Sequence, residues 1–294
     1  MAAPATFVVV VALVAAALCG GVCRAQDMDN EWARYRGFFG GGATLLPQSD
    51  VDLLEFPLNL EYLEAEFFCW SALGYGLDGI DVNLTGGGPP PIGGQTAALT
   101  PFVRDVATQF CYQEVGHLRA IKQNVRGFPR PQLDISATNI GKIVEQAMNT
   151  EPALHPQREQ PQLPHRLLHH PLVAGLLGVE SAQDAVIRAL LYERGLSRVA
   201  SYGVGVAEVT AHISDLRNEL GRRGVKDEGL VVVPGEGPEG QTVGNIIAGD
   251  RYSLAYDRTP EEILGIVYGT GSPAQAGGFF PQGADGRIAR GLLM

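Results

Sequence analysis

Basic residues are scarce in this chain of 294 residues: 22 Lys and Arg stand against 32 Asp and Glu, for a net charge of −10. Nucleic-acid binding needs clustered Lys and Arg that displace counterions from phosphates, so that class of partner is excluded. Cysteine is scarcer still, at four, and Cys19 and Cys23 lie in an N-terminal segment with the pattern of a cleaved signal. The two that remain, Cys69 and Cys111, cannot build a disulfide framework. They can form one bridge, but on neighbouring helices their heights come out more than one turn apart, which favours two buried thiols. Beyond the N-terminal segment no apolar run is long enough to span a bilayer. No Gly-x-Ser-x-Gly elbow is present to carry nucleophilic serine chemistry. The one phosphate-loop look-alike, Gly269-Thr270-Gly271, lacks the following Lys and the strand-turn-helix frame.

What is present starts with a twelve-residue apolar run, Phe7 to Leu18, followed by the small-residue site Cys23-Arg24-Ala25. That pattern predicts a signal peptide over residues 1–25, a secreted mature chain and no membrane contact after cleavage. Asn83-Leu84-Thr85 is a glycosylation sequon, and it lies in a Gly/Pro-rich stretch where an exposed loop could accept a glycan at Asn83. Apolar residues make up 45% of the chain and charged residues 18%, enough for a packed core.

Helical spacing dominates the rest. Ser49 and Asp50 are N-cap candidates, with Asp52 at capping-box distance from Ser49, and Leu53, Leu54, Leu58, Leu60, Leu63, Phe67, Phe68 and Trp70 follow at near-helical intervals. Pro57 predicts a kink or a later start. Gly74 to Gly94 holds eight glycines and three consecutive prolines, so it reads as a long loop. Thr100-Pro101 opens a second helix that stops at Gly127, and a shorter amphipathic one is expected over Asn139 to Asn149. Residues 150–171 carry five prolines and four of the six histidines without any apolar period, and read as a solvated loop. A third long helix is expected from Leu172 to Glu193 and a fourth from Ser197 to Leu220, joined tightly enough to form a hairpin. After Leu220 come 16 glycines, five prolines and one clear helix signal, Thr259-Pro260-Glu261-Glu262. The pattern predicts an all-α fold: a four-helix bundle over residues 45–220 and an irregular extension over 221–294 that packs on it.

Charged residues interrupt the apolar stripes in a regular way. Glu61 and Glu64 lie in that of the first helix, Glu114 and His117 form a Glu-x-x-His pair on one face of the second, Glu180 follows Leu176-Leu177-Gly178-Val179, and His212 lies between apolar turns of the fourth. Acids spread over the helices with Glu-x-x-His pairs are the ligand scheme of dinuclear carboxylate bundles. A buried, uncompensated carboxylate costs several kcal/mol, which cations at the centre would offset. The plainer alternative is a polar core, linked by hydrogen bonds, that holds no metal.

Leu58-Asn59-Leu60-Glu61, Glu114-x-x-His117-Leu118, Leu177-Gly178-Val179-Glu180 and His212-Ile213-Ser214-Asp215-Leu216 resemble the four ligand helices of the ferritin superfamily, in order. More closely, Glu61 to Phe68, Gly178 to Arg188, Leu220 to Leu230, Arg258 to Glu262, Val267 to Gly271 and Gly283 to Arg290 resemble the plant desiccation-related proteins. That resemblance implies a ferritin-like domain, secretion to the apoplast or cell wall, and a role in dehydration and other stress, with no catalytic residue assigned. It further implies a pair of iron or manganese ions, or a vestigial site that holds none. Two functions follow: a protective protein with cell-wall clients, as monomer or homo-oligomer, or a di-iron or di-manganese oxidase or peroxidase. Simple metal sequestration is a third, and cage storage is disfavoured by the long tail. Two departures stand out. The position three before His212 is Val209, and Glu208 lies one residue off; one residue turns a side chain by about 100°, so Glu208 should miss the metal and leave the second metal position incomplete. Residues 150–171 also replace a longer apolar segment of the family, through divergence or a mis-spliced or frame-shifted gene.

Overall fold

A computed structural model describes residues 46–150, 171–226, 229–250 and 252–293. The signal segment expected over residues 1–25, and all but the end residues of the histidine-bearing loop expected over 150–171, lie outside these residues. The fold is all-α. Its elements are α1 Gln48–Leu73, a short α2 Leu77–Ile80, α3 Pro101–Asn124, α4 Ala137–Asn149, α5 Pro171–Glu193, α6 Val206–Gly221, α7 Pro260–Val267 and α8 Arg287–Leu292. Two-residue strands, β1 Arg198–Val199 and β2 Val204–Gly205, pair antiparallel between α5 and α6. Among the described residues no helix is long and apolar enough to cross a membrane.

α1 is the axis of the molecule. Every residue from Leu58 to Cys69 is buried, including Asn59, Glu61, Glu64 and Glu66. A helix covered on all sides needs a partner for each polar side chain, since an unpaired one costs as much as a large apolar contact gains. Asn59 meets the tail: its Nδ2 donates to the Asp285 carbonyl at 2.9 Å and its Oδ1 accepts from the Asp285 amide at 2.8 Å. Glu66 pairs with the fully buried Arg130, which also reaches Asp78 at 2.9 Å and donates to the Pro89 carbonyl at 2.7 Å. That guanidinium therefore fastens the Gly/Pro-rich loop onto the bundle. The loop needs glycine for close approach: a Cβ at Gly88 would lie 2.1 Å from the Arg130 carbonyl oxygen, and one at Gly76 would lie 1.8 Å from the Glu66 carboxylate.

The cap signals work where a Thr precedes a Pro. Thr100 Oγ1 accepts from the Val103 amide at 3.3 Å, and Thr259 forms a full capping box with Glu262. At α1 the expected caps fail, because the helix starts at Gln48 with Pro47 before it, leaving Ser49 and Asp50 inside the first turn. Pro57 sits within a continuous α1. The fourth bundle helix begins at Val206, not Ser197, since residues 198–205 form the small hairpin first. The tail carries a second helix, α8, that its glycines concealed.

The expectation of two thiols is overturned. Cys69 and Cys111 form a disulfide with their Cα atoms 4.8 Å apart. Their heights match because Glu61 stands level with His117, not with Glu114, in the antiparallel α1–α3 pair. From that level Cys69 lies eight residues up α1 and Cys111 six up α3, about 12 and 9 Å at 1.5 Å per residue, so the offset is well under one turn.

The extension closes over the bundle through buried cations. From α5, Arg188 donates to the carbonyls of Asn245 and Gly229 and, at 3.1 Å, of Ile246. Lys226 pairs with Glu262 at 2.9 Å, both buried, and Tyr268 Oη accepts from the Ala284 amide at 2.9 Å.

Candidate metal centre

Three helices bring four side chains to one point. α1 supplies Glu61, α3 supplies Glu114 and His117 one turn apart on its inner face, and α5 supplies Glu180. His117 Nδ1 lies 3.1 Å from Glu61 Oε2, 3.1 Å from Glu114 Oε2 and 3.1 Å from Glu180 Oε1. One donor atom from each of the four falls within 4.8 Å of every other. Glu61, Glu114 and His117 are buried and Glu180 is partly so.

This geometry oversupplies acceptors. One ring N–H cannot donate well to three carboxylate oxygens, and those oxygens repel one another in a site with little water. Burial raises the Glu61 carboxyl well above its usual range, against the lowering effect of the His117 contact, and burial likewise raises Glu180. Burial alone would lower His117, but the contacts with Glu114, Glu180 and Glu61 prevail and its pKa is pushed up to about 12. By themselves these side chains thus gather protons to balance their acids. A divalent cation does the same with one particle, and a set of three carboxylates and one imidazole suits iron or manganese. Metal–ligand bonds of about 2.1 Å place opposite donors about 4.2 Å apart, so the 4.8 Å limit closes with small side-chain adjustments.

Glu64, Glu208 and His212 do not join the quartet. Glu64 is buried on α1 one turn beyond Glu61, outside the converging set. Glu208 is exposed in the first turn of α6, while Val209 is fully buried, so the apolar residue takes the inward place. His212 is partly buried, and its Nδ1 has no hydrogen-bond partner among the described residues. A residue that sequence reasoning missed is Gln183, 3% exposed, whose Nε2 donates to Glu114 Oε1 and, at 3.0 Å, to Gln113 Oε1. Its signal was spacing: it follows Glu180 by three residues and shares its helix face.

A ferritin-like domain family matches residues 49–154. The chain is 47% identical over 271 residues to the ferritin-like catalase Nec2 of Nesocodon mauritianus, covering 84% of this chain and 87% of that protein. It is also 47% identical over 266 residues to the desiccation-related protein PCC13-62 of Craterostigma plantagineum, covering 82% and 85%. The chain belongs to the plant desiccation-related, ferritin-like proteins. No solved structure matches it. Within this family the present member combines a stress-related, ferritin-like function with a Glu/His cluster able to hold a metal ion. The family match begins at α1 and takes in Glu61, Glu114 and His117, whereas Glu180 and Gln183 lie beyond it on α5.

Proposed function

We propose that this chain is a secreted, metal-dependent stress protein whose Glu61, Glu114, His117 and Glu180 centre consumes peroxide. The observation that carries the reading is the convergence of those four donors in a buried site. The likeness to a ferritin-like catalase over most of both chains supports the choice of peroxide as substrate. Bound there, an iron or manganese ion would supply the redox couple that takes electrons from one peroxide and returns them to another, giving oxygen and water. Glu61, Glu114 and Glu180 would hold that ion as carboxylates and His117 through a ring nitrogen, giving up on binding the protons that burial favours on Glu61 and Glu180 without it. Secretion is supported by the signal pattern of residues 1–25 and by the disulfide, a bond that persists in oxidising compartments. Asn83 is exposed on a 3-10 turn, as a glycan acceptor must be.

The test is direct. Mature protein is stripped of metal, reloaded with iron or with manganese, and given hydrogen peroxide while oxygen is recorded at an electrode. Oxygen release that falls to background in Glu114→Ala is the expected result. Loaded protein that releases no more oxygen than that variant refutes catalysis. The equal identity to a desiccation-related protein favours a second reading, protection or metal sequestration without turnover. A protein that binds metal tightly and leaves peroxide intact would establish it.

A further inference from the structure

Resting on the reading that the centre binds a transition-metal cation, we propose that it takes one ion per chain rather than two, and that Gln183 enforces this by holding the outer oxygen of Glu114. Paired metal ions in carboxylate centres stand about 3.5–4 Å apart, and with bonds of about 2 Å the donors at the two far ends are separated by about 7.5–8 Å. One donor atom from each of the four residues lies within 4.8 Å of the other three, a span that one ion fills. A two-ion centre also needs a carboxylate that lends one oxygen to each ion. Glu114, fully buried between Glu61 and Glu180, is the group placed for that role.

Glu114 is not free to bridge. Its Oε2 faces His117 Nδ1, while its Oε1 accepts from Gln183 Nε2. The same Nε2 donates to Gln113 Oε1 at 3.0 Å, so both of its protons are used. Turning the amide over would set its carbonyl oxygen against two acceptor oxygens, so its neighbours fix the orientation. A second ion at Glu114 Oε1 would have to share that oxygen with the buried Gln183 amide, which holds it in place. α6 offers no compensation, because the place of a fourth-helix carboxylate is taken by the fully buried Val209 and His212 stays outside the set. The helix that delivers Glu180 as a ligand delivers Gln183 with it, one turn on, which ties the ligand to its positioning residue.

Manganese(II) tests the count. The mature chain is stripped, saturated with Mn(II), desalted, and analysed for manganese per chain and by electron paramagnetic resonance. One Mn(II) per chain with the six-line spectrum of an isolated ion is expected. Two per chain with a spin-coupled spectrum overturns the one-ion proposal and leaves the metal-binding reading intact; no binding overturns that reading itself. In Gln183→Leu, affinity for Mn(II) should fall about tenfold, as losses of groups that orient metal ligands do. Leu191→Ala, buried on α5 eleven residues beyond Glu180, serves as a control for general loosening. An unchanged affinity in Gln183→Leu, or an equal loss in both variants, overturns the role of Gln183. Should Gln183→Leu fail to fold, the wild-type stoichiometry and spectrum still decide the proposal.

Discussion

Replacing Cys69 and Cys111 together by Ala removes the covalent tie between α1 and α3, which spans 42 residues. The chain-entropy relation gives a loop of that length an entropy of about 13 cal/mol/K, or about 4 kcal/mol at 25 °C. The whole of that term belongs to the unfolded chain, since in the folded state α1 and α3 still pack along their lengths. At about 2–4 °C per kcal/mol for a domain of this size, the melting midpoint should drop by about 8–16 °C. Equilibrium urea unfolding of mature protein, with and without prior reduction in denaturant, reads the same quantity. Reduced wild type and the double variant should agree to within about 1 kcal/mol. Two independent results would refute the reasoning: a loss below about 1 kcal/mol, or two thiols titrated in unreduced, denatured wild type.

Arg130→Met should cost about 3–5 kcal/mol, because it strands the buried Glu66 carboxylate, and adding Glu66→Gln should recover part of that loss in urea unfolding. Thr259→Ala removes the capping box of α7 and should cost about 1 kcal/mol, seen as faster amide exchange over residues 260–267. Metal uptake should release protons and strengthen as pH rises. His117, raised to about 12 from an unfolded value near 6.5, stabilises the apo fold fully below about pH 6.5, and that contribution is lost as pH rises through the folded value. Glu61 and Glu180, raised by burial, bind more protons folded than unfolded, so their effect has the same sign and starts above about pH 4.3. Titration calorimetry of Mn(II) in two buffers of different ionisation enthalpy should show proton release, and identical enthalpies would refute it.

Three of the four bundle helices and the residues of the converging Glu/His quartet were legible because each rests on local rules. Thr100-Pro101 and Thr259-Pro260 announce helix starts within four residues, and Glu114-x-x-His117 declares its shared face by spacing alone. What escaped depends on how one helix is shifted against another. The Cys69–Cys111 bond turns on whether Glu61 stands opposite Glu114 or His117, and nothing in either helix encodes that offset of one turn. The late start of α6 escaped because Val199 and Tyr202 precede Val206 and Val209 at helical spacing, although Val199 lies in the small hairpin. Gln183 escaped because its spacing from Glu180 declares a shared face but not its partner oxygen on α3.

Arg188 gives the extension a different standing from that of an appendage. Its guanidinium rises from α5 into the core and finds the carbonyls of residues 229, 245 and 246 there. A chain ending at Leu220 would take those three acceptors away from the buried guanidinium, on the same helix that carries Glu180. The last quarter of the chain thus acts as the solvent of one arginine. Protease trimming of the tail would therefore register on α5, the helix of Glu180, as well as at the surface where the cut is made.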